Sequence, residues 1–176
     1  MTAVPVVARV ARGAFAGAVA TAAMGLVMLG ARRAGFVGEL APEEITEAGL
    51  DAAGADRSER SENALSTSAH FAYGAGNGAL YSLVAPRLPG PPLIRGLTFA
   101  TGLLLVSYEG WVPAARILPP LHAQTRGGRW TLVVGHLVYG ATLAGLAHDR
   151  RPRVPPPVVF GHERGVSLRT AGSEAP

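Results

Sequence analysis

The chain contains no cysteine, which excludes disulfides, thiolate metal sites and cysteine nucleophiles. It also contains no lysine, so all sixteen basic residues are arginine. Charged residues are scarce at 16% and aromatics scarcer at 6%, against 48% apolar residues, and the charges gather between apolar runs. The net charge of +4 is not carried by any arginine-rich run interleaved with aromatics, so it does not read as a nucleic-acid surface. Arginines flanking membrane segments account for it better. No nucleophile motif surrounds Ser82 or Ser107 and no glycine-rich phosphate loop follows a strand. The sequence therefore points to no catalytic residue, no metal ligand set and no cofactor. At 176 residues the chain allows one domain.

What is present is a phrase that occurs twice. His70-Phe71-Ala72-Tyr73-Gly74-Ala75 returns as His136-Leu137-Val138-Tyr139-Gly140-Ala141, in a chain with only five histidines and four tyrosines. Each copy sits in an apolar segment, where polar groups are expensive at membrane depth and call for a reason.

Four segments read as spans: about 13–30, 66–85, 93–112 and 130–147. About 18 residues at about 1.5 Å each reach roughly 27 Å, enough for the hydrocarbon core. The first carries Gly13, Gly17, Thr21 and Gly25 along one side, a row that lets a neighbouring backbone approach closely. A cleaved signal peptide is the rival reading; its length, the glycine row and Leu29, where a small residue should precede cleavage after Ala31, argue against it. The second is the most polar: His70, Tyr73, Asn77 and Tyr81 fall on one helical stripe with Gly74 and Gly78 beside it. Pro86 and the 88–92 stretch end that helix. Trp111 and Trp130, joined by one loop, suit the aromatic belt of one bilayer face.

The expected fold class is all-α, an integral membrane four-helix bundle of two parallel-repeat helical hairpins within residues 1–150. Arg12-Gly13 opens the first segment as Arg95-Gly96 opens the third, which predicts that 12–29 plus 68–85 superpose on 95–112 plus 134–151 by rotation about the membrane normal. The 31–65 loop holds eight of the twelve acidic residues, with a helix start at Pro42-Glu43-Glu44-Ile45 and a mobile stretch from Asp51 to Ser61. The tail, 151–176, is proline- and arginine-rich and reads as disordered. A small arginine excess on the side of the termini places them in the cytoplasm.

His70, Glu109 and His136 are expected to converge near the face of the two tryptophans, with Tyr73, Asn77 and Tyr139 at the same site. Such a cluster can relay protons, bind a cation or seat a polar solute. The plainer reading makes the same residues interhelical hydrogen-bond glue, with Gly13, Gly17, Thr21, Gly25, Gly74, Gly78 and Gly140 packing helices within the chain or between copies in a homo-oligomer. A third reading makes His70 and His136 axial ligands of a haem. The expected partner is the lipid bilayer, not nucleic acid.

The small-residue first helix, Pro42, His70-Phe71-Ala72-Tyr73-Gly74, the Glu109-to-Pro113 stretch and Gly135-His136-Leu137-Val138-Tyr139-Gly140 together resemble the YagU-like bacterial inner-membrane proteins over roughly 10–147. The resemblance implies a bacterial inner-membrane location and a multi-helix bundle. It brings no reaction and no catalytic residues.

Overall fold

The computed structural model describes residues 5–54 and 59–147; the tail over 151–176 and residues 55–58 of the acidic loop lie outside the described residues. The described chain is all-helical, without a strand. Its helices are α1 (Val6–Arg33), α2 (Ala41–Ala53), α3 (Glu59–Val84) and α4 (Pro92–Leu105); a π-helical turn, Val106–Trp111, then leads into the single turn α5 (Val112–Ala114), and α6 (Arg126–Ala147) follows. Pro92 at the start of α4, where its missing N–H costs nothing, and Pro86 just after α3 set two of these boundaries.

Two helices, α1 and α6, are long and apolar enough to cross a membrane, with mean hydropathies of 1.8 and 1.4 over their best windows. The sequence pattern predicted four. The third segment falls short because its regular α-helix stops at Leu105, where the backbone widens into the π turn. The second is long enough, at 26 residues, but its polar stripe lowers its hydropathy. The stretch from Asp51 to Ser61, expected to be mobile, is helical at both described ends, closing α2 and opening α3.

The long helices lie in the order α3–α1–α6–α4, each antiparallel to its neighbour. Small residues set the closest approaches. A Cβ on Gly13 would stand 2.7 Å from that of Ser82, and one on Gly17 would stand 2.9 Å from the Cα of Gly78. Gly74 faces Thr21, whose hydroxyl donates to the Gly17 carbonyl at 2.8 Å and so brings no unsatisfied group into the seam. Along α4 and α6 the same arrangement returns: a Cβ on Gly96 would meet Ala144 at 2.7 Å, and one on Gly140 would meet Ala100 at 2.7 Å.

These contacts leave the two halves of the expected register one turn apart. Aligned on the duplicated phrase, Gly74 with Gly140, the counterpart of Gly96 is Gly17, not Gly13. Aligned on the Arg-Gly starts, Gly13 meets Gly78 and Ser82 as Gly96 meets Gly140 and Ala144, which sets Gly78, not Gly74, against Gly140.

Gly25 is also corrected, since nothing lies within 4 Å of a Cβ built there. Continuing the pairing of Gly13 with Gly78 and Gly17 with Gly74 would set Gly25 opposite Ser66. By that turn α1 and α3 have parted, and a cavity lies between them. Gly13, Gly17, Thr21, Gly74, Gly78 and Gly140 all pack within the chain.

α1 and α6 close against each other through Met24 on Gly135, and Gly127 rests on the backbone of Phe36. α3 and α4, by contrast, share no close backbone seam. They meet through the edge-on pair Tyr81 and Phe99, with ring centroids 5.3 Å apart, and through Tyr73 and Ser107. α2 lies across the end where that gap is widest. Its first turn is held by Glu43, which accepts from the Leu40 N–H at 3.0 Å and pairs with Arg32 at 2.8 Å, and Gly54 ends it in a left-handed conformation at φ 62°.

Candidate functional site

Where α1 and α3 part, a cavity of about 240 Å³ opens, floored by Thr21 and Gly74 and roofed by Pro42, Ile45 and Thr46 of α2. α3 contributes His70 and Tyr73 to its wall, α6 contributes His136 and Tyr139, and α1 contributes Met24 and Met28. In each copy of the phrase the histidine and the tyrosine three residues on lie on one helix face, one turn apart.

The π turn supplies the remaining wall. Widening the helical repeat from i→i+4 to i→i+5 lets two consecutive residues, Ser107 and Tyr108, both face inward, and both are buried. Gly110 takes up the distortion at φ −111°, ψ −108°, and Pro113 follows in the next turn.

The turn also carries Glu109 away from the cavity. Its carboxylate accepts from the backbone N–H of His122 at 3.1 Å and lies 2.9 Å from that residue's Nδ1, tying the 115–125 loop to the turn. The expected meeting of Glu109 with His70 and His136 therefore does not form: with Ser107 and Tyr108 inward, the next residue points out. Asn77 is absent from the cavity as well. It is on the same stripe as His70 and Tyr73 but further down the helix, and its amide donates to the Tyr73 carbonyl at 2.9 Å.

Of the four expected residues that do line the cavity, Tyr73, His136 and Tyr139 make hydrogen bonds, and His70 makes none among the described residues. The Tyr139 hydroxyl donates to the Gly74 carbonyl at 2.8 Å, joining α6 to α3, and the Tyr73 hydroxyl sits 3.3 Å from Ser107 Oγ, joining α3 to α4. His136 Nδ1 is 2.8 Å from the Leu132 carbonyl. A carbonyl only accepts, so Nδ1 carries the hydrogen, and the neutral ring keeps a lone pair on Nε2. The Tyr108 ring stands edge-on to His136, with centroids 5.9 Å apart. Neither Nε2 nor the Tyr108 hydroxyl has a hydrogen-bond partner among the described residues, although both side chains are about 94% buried, each being 6% exposed.

No Asp, Glu or Arg lines this cavity. Among the described residues, no group of three His, Asp or Glu is placed to hold a metal ion. The acidic side chains gather instead around a separate recess under the first turn of α2, lined by Glu39 and Glu44 with Gln124 and Thr131. There burial, reinforced by Glu39, Glu47 and Glu43, holds the Glu44 carboxyl above the usual carboxylate range.

Sequence reasoning missed Ser107, the two methionines and the α2 roof. The one signal available for the first was a Tyr-Glu-Gly-Trp-Val-Pro run at a helix end, where glycine and proline permit a widened turn.

Fold and site together define an all-helical protein with an uncharged internal cavity. The chain belongs to a family of unknown function, DUF6789, which matches residues 7–155. No curated protein and no solved structure matches it. The matched family is not named for the YagU-like proteins, and it assigns no residue a role.

Proposed function

We propose that this chain is a multi-pass protein of the bacterial inner membrane that binds a small uncharged solute inside a four-span bundle built from two related hairpins. The distribution of side chains supports the membrane part. Many large apolar residues face outward, Phe15 at 69% and Leu26 at 72% exposed among them, while the interior mixes Met24, Met28, Leu104, Val112, Leu132 and Leu143 with glycine, alanine, serine, histidine and tyrosine. In water so large an apolar surface would drive association; in lipid it is the solvated face. Trp111 and Trp130 lie at the same end of the helices, as an interfacial belt requires. The YagU-like resemblance supplies the inner-membrane location, and the arginine excess the cytoplasmic termini.

The observation that carries the binding part is the cavity itself, walled by both His-x-x-Tyr phrases and by no charged side chain. A cation site is disfavoured because no carboxylate lines the cavity, and Glu109, the one expected there, is engaged by His122 outside it. A haem is disfavoured by size, since about 240 Å³ falls below the ~300–1,000 Å³ usual for ligand pockets. The packing-only reading keeps support from Tyr73 and Tyr139, whose hydroxyls join helices, but it leaves Tyr108 and His136 without purpose.

Two experiments test the reading. Reporter fusions after Ser61 and after Arg153 should lie on opposite sides of the membrane; the same side for both sinks the four-span arrangement. For binding, the full-length protein in lipid nanodiscs is dialysed to equilibrium against labelled naphthalene, an uncharged probe, with empty nanodiscs as blank. Retention above the blank is expected, and Ala69→Phe, which fills the cavity from α3, should remove it. Retention equal to the blank overturns the binding reading.

A further inference from the structure

A mostly apolar cavity selects its ligand by the polar groups it leaves open. Here Met24, Met28, Ile45 and Leu103 form much of the wall. Ser66 and His70 also face the cavity without a partner among the described residues, and the edge-on pair of Tyr108 and His136 sets a donor near an acceptor. A polar group kept from water without a partner costs free energy. Tyr108 and His136 are both about nine-tenths buried, with ring centroids 5.9 Å apart, and their unpaired hydroxyl and Nε2 open on the cavity as a donor and an acceptor. The Leu132 carbonyl fixes which is which: with Nδ1 donating to it, Nε2 of His136 accepts, and the phenolic O–H of Tyr108 is free to donate.

We propose that the ligand of this cavity is an uncharged, mostly apolar molecule bearing a hydroxyl group, an alcohol or a phenol. Its O–H donates to Nε2 of His136, and its oxygen accepts from the Tyr108 hydroxyl. This deepens the binding reading given above and rests on it. A hydroxyl is the simplest group that donates and accepts through one atom. A ketone, an ether or an ester only accepts, and would leave Nε2 without a donor. A carboxylate or an ammonium would bring a charge into a wall that holds no counter-ion. A single water can span the same two groups, so a hydroxyl ligand takes its place and gains by burying its apolar part against the wall. Access is available at the seam between α3 and α4, where Tyr73 and Trp111 line the cavity yet remain 45% and 42% exposed. An apolar ligand can thus enter from the lipid.

The test is a comparison of two probes of nearly the same shape. Labelled 1-naphthol and 1-methoxynaphthalene are dialysed separately against the full-length protein in lipid nanodiscs, with empty nanodiscs as blank. Wild-type protein should retain 1-naphthol about tenfold more tightly, the loss expected when a buried acceptor goes unpaired. Tyr108→Phe, which removes one oxygen and no volume, should weaken retention of both probes about fivefold, since both oxygens accept from its hydroxyl. His136→Asn, which keeps a donor for the Leu132 carbonyl but removes Nε2, should lower the naphthol preference about fivefold. Equal retention of the two probes above the blank overturns the hydroxyl assignment and leaves the cavity reading standing. Retention of neither overturns both. Undiminished retention of both probes in Tyr108→Phe overturns the pairing with Tyr108. Should His136→Asn fail to fold, the wild-type comparison still decides.

Discussion

The two seams that join the α1/α3 pair to the α4/α6 pair are unlike. Between α1 and α6 the backbones approach closely, Met24 lies on Gly135, and Gly127 rests against Phe36. Between α3 and α4 only side chains meet, Tyr81 with Phe99 and Tyr73 with Ser107. An exact twofold would make these seams equal, because it exchanges α1 with α4 and α3 with α6. The difference is where the cavity lies. Small residues close the α1–α3 and α4–α6 contacts in the same way, and the α3–α4 side is left open. The π turn lies on that open side: among the described residues it follows α4 alone, and it supplies the Tyr108 that the proposed ligand needs.

The sharpest way to break the comparison is to block a closed contact. Gly17→Leu forces a side chain into the backbone of Gly74 and Gly78, neither of which can retreat. Overpacking in a tight core costs about 1–3 kcal/mol, and backbone against backbone belongs at the upper end. We expect a large fall in melting temperature in detergent or no folded protein at all. Gly102→Leu is the control, since nothing lies within 4 Å of a Cβ there, and it should melt like wild type. If both variants melt alike, small residues do not hold the α1–α3 hairpin.

Tyr139→Phe comes next. It removes the bond to the Gly74 carbonyl, which crosses from α6 to α3 at the cavity floor. The expected loss is about 1 kcal/mol, or somewhat less for an interhelical bond in lipid. Thermal unfolding in detergent would register it, and an unchanged melting temperature would mean that the tyrosine is not part of what joins the hairpins.

Much of this arrangement was legible in the residues, and the exceptions are instructive. The duplicated phrase placed His70 with Tyr73 and His136 with Tyr139, because helical periodicity holds wherever the helix is regular. The same periodicity put Asn77 on the stripe but not its depth relative to the cavity, which depends on where α1 and α3 part. Glu109 was misplaced because its direction depends on a π turn, and a widened turn is settled by packing against other helices. Gly25 continues the glycine row in sequence, yet the neighbour the row needs has moved off. The Arg-Gly starts and the duplicated phrase fall one turn out of step, because small residues recur every four positions along these helices and the letters alone do not tell one turn from the next. The α2 roof was visible only as a helix start, since its docking involves residues far apart in the chain.

A smaller effect concerns that roof. The Glu44 carboxyl is held above the usual carboxylate range, first by burial and then by Glu39, Glu47 and Glu43. A raised folded-state value means that the protonated form favours the docked helix. That contribution is complete below the ordinary carboxylate range and is lost as pH rises through the folded-state value. Arg32 does not offset it, because it is committed to Glu43. Amide exchange over Ala41–Ala53 should therefore slow on acidification beyond the intrinsic pH effect, and Glu44→Gln should flatten that excess. An excess of unchanged size in Glu44→Gln would assign the effect to the other acids of α2.

The smallest expected effect is the one that bears most directly on the open seam. Tyr73 reaches Ser107 at 3.3 Å, a long contact between two hydroxyls, and the tyrosine is 45% exposed. A bond of that length and exposure contributes at most about 0.5 kcal/mol, the low end for protein hydrogen bonds. Tyr73→Phe should accordingly lower the melting temperature by less than half of what Tyr139→Phe does, measured in the same detergent. It should also quicken release of a bound probe, because the hydroxyl contact is one of the two that draw α3 and α4 together beside the cavity. The two readouts separate the seams. If Tyr73→Phe destabilises as much as Tyr139→Phe, the α3–α4 side is held as firmly as the closed one, and the route from the lipid would have to lie under α2 instead.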